Sequence, residues 1–372
     1  MLLAGAMMMS MTACGGGSAD AQSTDSGTQA ATGDAATPTK TSGGKVGVSM
    51  PTQSLQRWNQ DGANMKKQLE EAGYEVDLQY AGDNDIPTQV SQIENMIAGG
   101  CQTLVIAAID GSALTEALKG AKEKNIPVIS YDRLIMNSDA VSYYATFDNN
   151  KVGTMQGEYI RDALKLDTEK GPFNIELVTG APDDNNVNFF FGGAMNVLKP
   201  YIDKGTLVVP SGQTEKAQCA TANWSTEEAQ KRFENIISSV GYGPNGKKLD
   251  AVLCSNDSTA YGVENALIAA GYTPDNMPVI TGQDCDKPNV KNIVAGYQSM
   301  SIFKDTRTLA EKVVGMVDAI MKGGKPEVND TKTYDNGTGV IPSYLCDPVF
   351  ADKSNYKQIL IDSGYYTESD IA

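Results

Sequence analysis

From Lys45 onward the chain alternates short apolar runs with segments of helical periodicity, and that alternation restricts the fold more than any other feature. "TLVIAAI", starting at Thr103, is the near-continuous apolar run expected of a strand buried on both faces in the middle of a parallel sheet. The pattern predicts strands at Lys45–Ser49, Val76–Tyr80, "IPVISYD" and Ser142–Phe147. Helices are predicted at Asn59–Ala72, along the stripe Ile86, Val90, Ile93 and Ile97, and at Ala113–Lys124 and Lys151–Leu164. Gly73 and the Gly99-Gly100 pair supply stop signals for the first two.

The second half repeats the scheme. Strands are expected at Phe173–Thr179, Leu207–Val209, Ala251–Ser255 and Val279–Thr281. Helices are expected at Val187–Leu198, Thr226–Ser239, Thr259–Ala270 and Pro288–Ala295. A strand at Ser299–Phe303 and a long amphipathic helix at Thr306–Met321 follow. Two successive β/α runs predict an α/β protein of two doubly wound domains, each a parallel sheet flanked by helices.

In open α/β sheets ligands bind beyond the carboxyl ends of the strands, so the residues that follow each strand carry the functional information. After the first strand comes Gln56-Arg57-Trp58, ahead of the helix expected from Asn59. Asp132-Arg133 follow "PVISY", Asp183-Asp184-Asn185-Asn186 follow "NIELVTG", Asn256-Asp257 follow "AVLCS", and Gln283-Asp284 follow "PVITG". The second of only two tryptophans, Trp224, sits in "TANWST". Taken singly, an Asp or Asn after a strand is commonly a helix N-cap, and a lone Trp is commonly core. Taken together, planar hydrogen-bonding side chains at five strand ends with two broad aromatic faces suit a sugar. A pyranose offers a ring of hydroxyls that both donate and accept, around two apolar C–H faces.

Composition removes other classes. There are 30 Lys+Arg against 46 Asp+Glu, a formal charge of −16, which repels phosphate backbones and excludes nucleic acid as a partner. The chain has no histidine, so Ser-His-Asp or Cys-His catalysis and His-ligated zinc are excluded. No D-x-D-x-D-G run is present, and neither a metal nor a cofactor is expected. Of the six cysteines, Cys101, Cys254 and Cys285 lie in or beside apolar runs and read as small core residues. Adjacent carboxylates such as Asp183 and Asp184 do not flank a scissile bond, which argues against a sugar-processing enzyme.

"MLLAGAMMMSMTAC" resembles the end of a bacterial lipoprotein signal peptide, with Cys14 as the lipidated residue. The Gly/Ser/Ala/Thr/Asp-rich residues that follow cannot pack a core and read as a flexible tether. The expected organisation is a signal segment at 1–14, a tether at 15–44, and an extracytoplasmic folded part attached to the membrane only through its lipid.

"RW", "SQIENMI", "TLVIAAIDG", "YDR", "PDDNN", "SND", "TGQD" and "NDTKTY", in this order and spacing, resemble bacterial periplasmic monosaccharide-binding proteins of ABC transporters, of the xylose-binding and multiple-sugar-binding type. The resemblance runs from Lys45 to the end. It implies the type I periplasmic-binding-protein fold, with two Rossmann-like lobes joined by a three-strand hinge that close on a sugar. By matching motif, the first lobe would supply Arg57, Trp58, Asp132 and Arg133. The second would supply Asp184, Asn186, Trp224, Asn256 and Asp284, with Lys304 of "SIFKDT" beside a hinge crossing. The lobes are expected at 45–148 plus 300–339 and at 149–299 plus 340–372. The implied function is capture of a monosaccharide of the xylose, galactose, glucose or arabinose class by a monomer that delivers it to a permease. The alternatives are a receptor for another small polar ligand, such as a furanose-like signal, or a sugar sensor partnering a chemoreceptor. A sugar-responsive repressor shares the fold, but it needs a DNA-binding segment and a basic surface.

Overall fold

The computed structural model describes residues 43–372. The expected signal segment, Cys14 and almost all of the expected tether lie outside the described residues. In chain order, the first lobe starts with β1 (Lys45–Met50), α1 (Gln56–Glu71), β2 (Glu75–Tyr80), α2 (Ile86–Ala98), β3 (Thr103–Ile106), α3 (Thr115–Glu123), β4 (Val128–Tyr131) and β5 (Val141–Phe147). The second lobe follows with α4 (Asn149–Ala163), β6 (Phe173–Val178), α5 (Asn186–Asp203), β7 (Leu207–Val208), α6 (Lys216–Cys219) and α7 (Thr226–Val240). It continues through β8 (Ala251–Cys254), α8 (Asp257–Ala269), β9 (Val279–Ile280), α9 (Lys287–Ala295) and β10 (Met300–Phe303). The chain returns to the first lobe for α10 (Thr306–Met321) and β11 (Ser343–Cys346), then ends in the second with β12 (Val349–Asp352) and α11 (Glu368–Ile371).

Among the described residues the first sheet has six strands, ordered β2-β1-β3-β4-β5-β11, all parallel. The second is β7-β6-β8-β9, also parallel, with β10 and β12 forming an antiparallel pair beside it. Every residue of β3 and of β4 is buried, as strands covered by helices on both faces must be. The α/β class and the parallel sheets are those expected.

Two segments lie in different lobes from those expected. β10 was expected in the first lobe, but Met300 and Ile302 pack with Val152, Val187, Phe190 and Trp224 of the second. Ser343–Cys346 was expected in the second lobe, but it pairs in register with Tyr144–Phe147 and covers the edge of β5. Burial of Ser343 and Cys346 and covering of that edge are what draw the strand there.

The lobes are thus joined by three very short crossings: Asp148 between β5 and α4, Lys304-Asp305 between β10 and α10, and Asp347-Pro348 between β11 and β12. Helix caps fix how chains leave the strands. Asp85 accepts from Thr88 N, with Pro87 in the first turn of α2, and Asp148 accepts from Lys151 N at the start of α4. α4 and α5 touch backbone to backbone: a methyl on Gly153 would overlap the carbonyl of Phe190, and one on Gly193 the carbonyl of Asn150. That close approach sets Phe190, one turn beyond Asn186, on the inner wall of the second lobe. Among the described residues Cys101, Cys219, Cys254, Cys285 and Cys346 are all free and buried, as read for three of them from sequence.

Candidate functional site: a polar cavity between the lobes

All ten binding residues expected from the sequence line one cavity between the lobes: Arg57, Trp58, Asp132, Arg133, Asp184, Asn186, Trp224, Asn256, Asp284 and Lys304. Arg57 and Trp58 are not in the turn where they were placed. They belong to the first turn of α1, which starts at Gln56. The earlier start went unseen because the residue before it, Leu55, makes no side-chain cap.

Arg57 is the hub of the first-lobe wall. Its Nε bonds to Asp61 one turn along α1, Nη2 donates to Asp132 Oδ1 at 2.6 Å, and Nη1 donates to Asp284 Oδ1 of the second lobe at 3.0 Å. Asp61 also accepts from the Tyr131 hydroxyl. Lys304 Nζ stands 3.0 Å from Asp284 and 3.9 Å from Asp132. Burial works against charge on Arg57, but Asp132, Asp61 and Asp284 outweigh it and hold its pKa well above the ordinary value. Burial likewise pushes the Asp132 carboxyl up, yet Arg57 and Lys304 prevail and bring it to about 2. At Asp61 burial prevails over Arg57, and the group rises to about 6.

Asp132 has a positive φ of 57°, and its carbonyl accepts from Tyr144 Oη, Thr146 Oγ1 and Asn186 Nδ2 at 2.7, 3.0 and 2.8 Å. Those bonds stabilise the left-handed backbone. Arg133 is pinned by the carbonyls of Ala108 and Ile109, at 3.1 and 3.2 Å from Nη1. Its guanidinium lies 5.0 Å from the centroid of the Trp58 ring, with that of Arg57 at 5.5 Å, both within cation–π range. Its Nε forms an ion pair with Asp184 Oδ2 across the cleft at 3.1 Å.

In the second lobe, Asp184 Oδ2 accepts from Trp224 Nε1 at 3.2 Å, and Oδ1 accepts from Asn186 N at 2.9 Å. Burial raises the Asp184 pKa against the pull of Arg133. Trp224 has a φ of 56°, rare for a bulky residue. Its ring packs so closely on Gly180 that any side chain there would overlap it.

Asn186 Oδ1 accepts from Tyr144 Oη and Asn149 Nδ2, both at 3.0 Å, while Nδ2 serves Asp132 O. One amide hydrogen of Nδ2 is not used by these bonds. Asn256 is both cap and wall: Oδ1 accepts from Thr259 N and Oγ1 at the start of α8, and Nδ2 donates to Ser258 Oγ at 2.7 Å. The N-cap reading and the cavity reading hold together at this residue.

Sequence reasoning missed four lining residues, Leu55, Phe190, Ser258 and Asp286, and picked out a fifth, Gln283, at its strand end without placing it among the ten. Phe190 could have been found at helical spacing from Asn186. Two lining residues have a buried polar atom with neither a hydrogen-bond nor an ion-pair partner, Gln283 Oε1 and Asp286 Oδ1, while Arg133 Nε has only its ion pair with Asp184. Burial, reinforced by Asp284, lifts the Asp286 carboxyl to about 7 against Arg57 and Lys304.

Two lobes that meet strand end to strand end around a buried polar cavity form a receptor for a small solute, one that touches its ligand from both sides. The chain belongs to the periplasmic binding protein family, whose domain model matches residues 46–325. It is 54% identical over 326 residues to the multiple sugar-binding periplasmic protein SbpA of Azospirillum brasilense, covering 87% of this chain and 90% of that one. It is 36% identical over 327 residues to the D-xylose-binding periplasmic protein of Escherichia coli, covering 88% and 92%. Among solved structures, an ABC transporter solute binding protein from Clostridium phytofermentans with bound β-D-glucose superposes with a TM-score of 0.85 at 67% identity, covering 88% of this chain and all of the other.

Proposed function

We propose that this protein is an extracytoplasmic receptor that captures a neutral monosaccharide between its lobes and presents it to an ABC-transporter permease. The carrying observation is the cavity itself: three cationic and four carboxylate side chains, with Asn186, Asn256 and Gln283, point at one space from both lobes. Such a wall gives each hydroxyl of a sugar a charge-assisted partner. Arg57, Arg133 and Lys304 are already matched by Asp132, Asp184 and Asp284, so no surplus positive charge awaits a phosphate or carboxylate. Relatives named for multiple sugars and for D-xylose, and a neighbour holding β-D-glucose, support the same class of ligand.

The family consists of binding proteins, which supports a role in binding rather than in catalysis. The periplasmic setting of the relatives supports action outside the cytoplasmic membrane. The segment ending at Cys14 supports lipid attachment there. Calorimetry with glucose, galactose, xylose and arabinose, alongside a sugar phosphate and an amino acid, tests the reading. Saturable binding of at least one neutral sugar, and of neither charged compound, is expected. Preference for the phosphate or the amino acid overturns it.

A further inference from the structure

Asp257 lies outside the cavity wall and is fully buried at the first position of α8. Its carboxylate faces four donor contacts: Oδ1 accepts from Gln298 Nε2 and Ser301 Oγ, both at 2.9 Å, and Oδ2 from Asp286 N at 2.9 Å and Ser301 Oγ at 3.0 Å. Its own amide donates to Gln283 O at 2.9 Å, and its carbonyl accepts from Asn289 Nδ2. A methyl on Gly282 would overlap Oδ1 of this carboxylate and the amide of Gln298, so the loop closes tightly around it.

What it holds is the segment Gly282–Asp286, which carries the cavity residues Gln283, Asp284 and Asp286. Two successive residues of that segment have positive φ: Asp284 at 98° and Cys285 at 52°. Neither is glycine, so surrounding bonds must impose the conformation. Backbone bonds from Asp284 N to Ile302 O at 2.8 Å and from Ile302 N to Gly282 O at 3.0 Å hold the first part of the segment against β10. The side-chain bonds around Cys285 and Asp286 converge on Asp257. Asp286 N reaches it directly, and Cys285 N donates at 3.0 Å to Ser301 Oγ, the same hydroxyl that donates to Asp257. Ser301 lies on β10, three residues before Lys304. One buried carboxylate therefore ties the Asp284 loop to the strand that delivers Lys304, and these two groups form the 3.0 Å ion pair at the cavity.

We infer that Asp257 is a positioning residue for ligand capture: it touches no ligand and sets the Asp284–Lys304 pair and the edge carried by Gln283 and Asp286. The inference rests on the proposed sugar-binding role of the cavity. Asp257→Asn keeps shape and loses an acceptor. It should weaken binding of the best neutral sugar at least about tenfold and speed amide hydrogen exchange at Cys285 and Asp286. Combined with Asp284→Asn, it should cost little beyond Asp284→Asn alone, because the two act on one arm.

Glu176→Gln is the matched control. This buried acid on β6 also bonds only neutral donors, Ser211 and Tyr242, away from the cavity. It should lower the melting temperature without changing affinity. Should Asp257→Asn fail to fold, Ser301→Ala cuts the same relay more gently and should show the same losses. Wild-type affinity, fully additive losses with Asp284→Asn, or unchanged protection at Cys285 and Asp286 would each overturn the inference. A wild-type protein that binds no sugar refutes the receptor reading instead, and the exchange data still decide whether Asp257 holds the loop.

Discussion

Arg57 and Asp284 are 227 positions apart and bond directly across the cleft, Nη1 donating to Oδ1 at 3.0 Å. The same arginine holds Asp132 and Asp61, so it carries one arm of the second lobe into a network built by the first.

Asp284→Asn should weaken sugar binding by about 1.5–3 kcal/mol, the range for a hydrogen bond to a charged group, or roughly tenfold to over a hundredfold in Kd. Lys304 then faces an amide oxygen where the 3.0 Å carboxylate stood, and its remaining ion-pair partner is Asp132 at 3.9 Å. Calorimetry reporting wild-type affinity would remove Asp284 from the ligand's contacts.

Cross-lobe bonds such as Arg133 to Asp184 and Asn186 to Tyr144 define a closed arrangement. A ligand touching both lobes should shift the population toward it. Small-angle scattering should give a smaller radius of gyration with saturating sugar than without. The same radius in both conditions would mean that the sugar does not drive closure.

The only two tryptophans, Trp58 and Trp224, are 3% and 5% exposed, and both line the cavity. All indole emission therefore reports on this site. It should change saturably with the bound sugar and stay constant with a non-ligand. Trp58→Phe removes the ring covered by Arg133 and should reduce the signal and weaken binding modestly. A double Trp→Phe variant that binds as well as wild type would return both rings to a packing role.

Glu264, fully buried on α8, bonds Asn292 through Oε2 and has no partner for Oε1. Burial raises its pKa from 4.5 to about 8. A carboxyl raised in the folded state binds more protons than in the unfolded chain. Its contribution is thus greatest below about pH 4.5 and is lost as pH rises to about 8, with a slope up to about 1.4 kcal/mol per unit. Glu264→Gln should raise the melting temperature at pH 8 and do little at pH 5. Equal effects at both would show that the group does not titrate in this window.

The sheets were legible because "TLVIAAI" and its like read as strands buried on both faces, although β3 takes only Thr103–Ile106 of that run, and the site because planar polar residues follow strand after strand. Other parts left weaker traces. Leu55 gives α1 no capping side chain, so Asn59 looked like the start and Arg57 and Trp58 like a turn. Phe190 reads as the apolar face of α5 until the glycine contact with α4 turns it to the cavity. β11 is four residues long, and its place beside β5 depends on a chain crossing that no periodicity encodes.

Lys304 occupies one of the three crossings, between Phe303 at the end of β10 and Thr306 at the start of α10. A group on the axle of a closing movement travels far less than groups on the rims. If the lobes swing about these crossings, its ammonium is a nearly fixed post, and a sugar entering an open cleft would meet this charge close to its final station. The other arms would then arrive afterward, measured against a reference point that has scarcely moved.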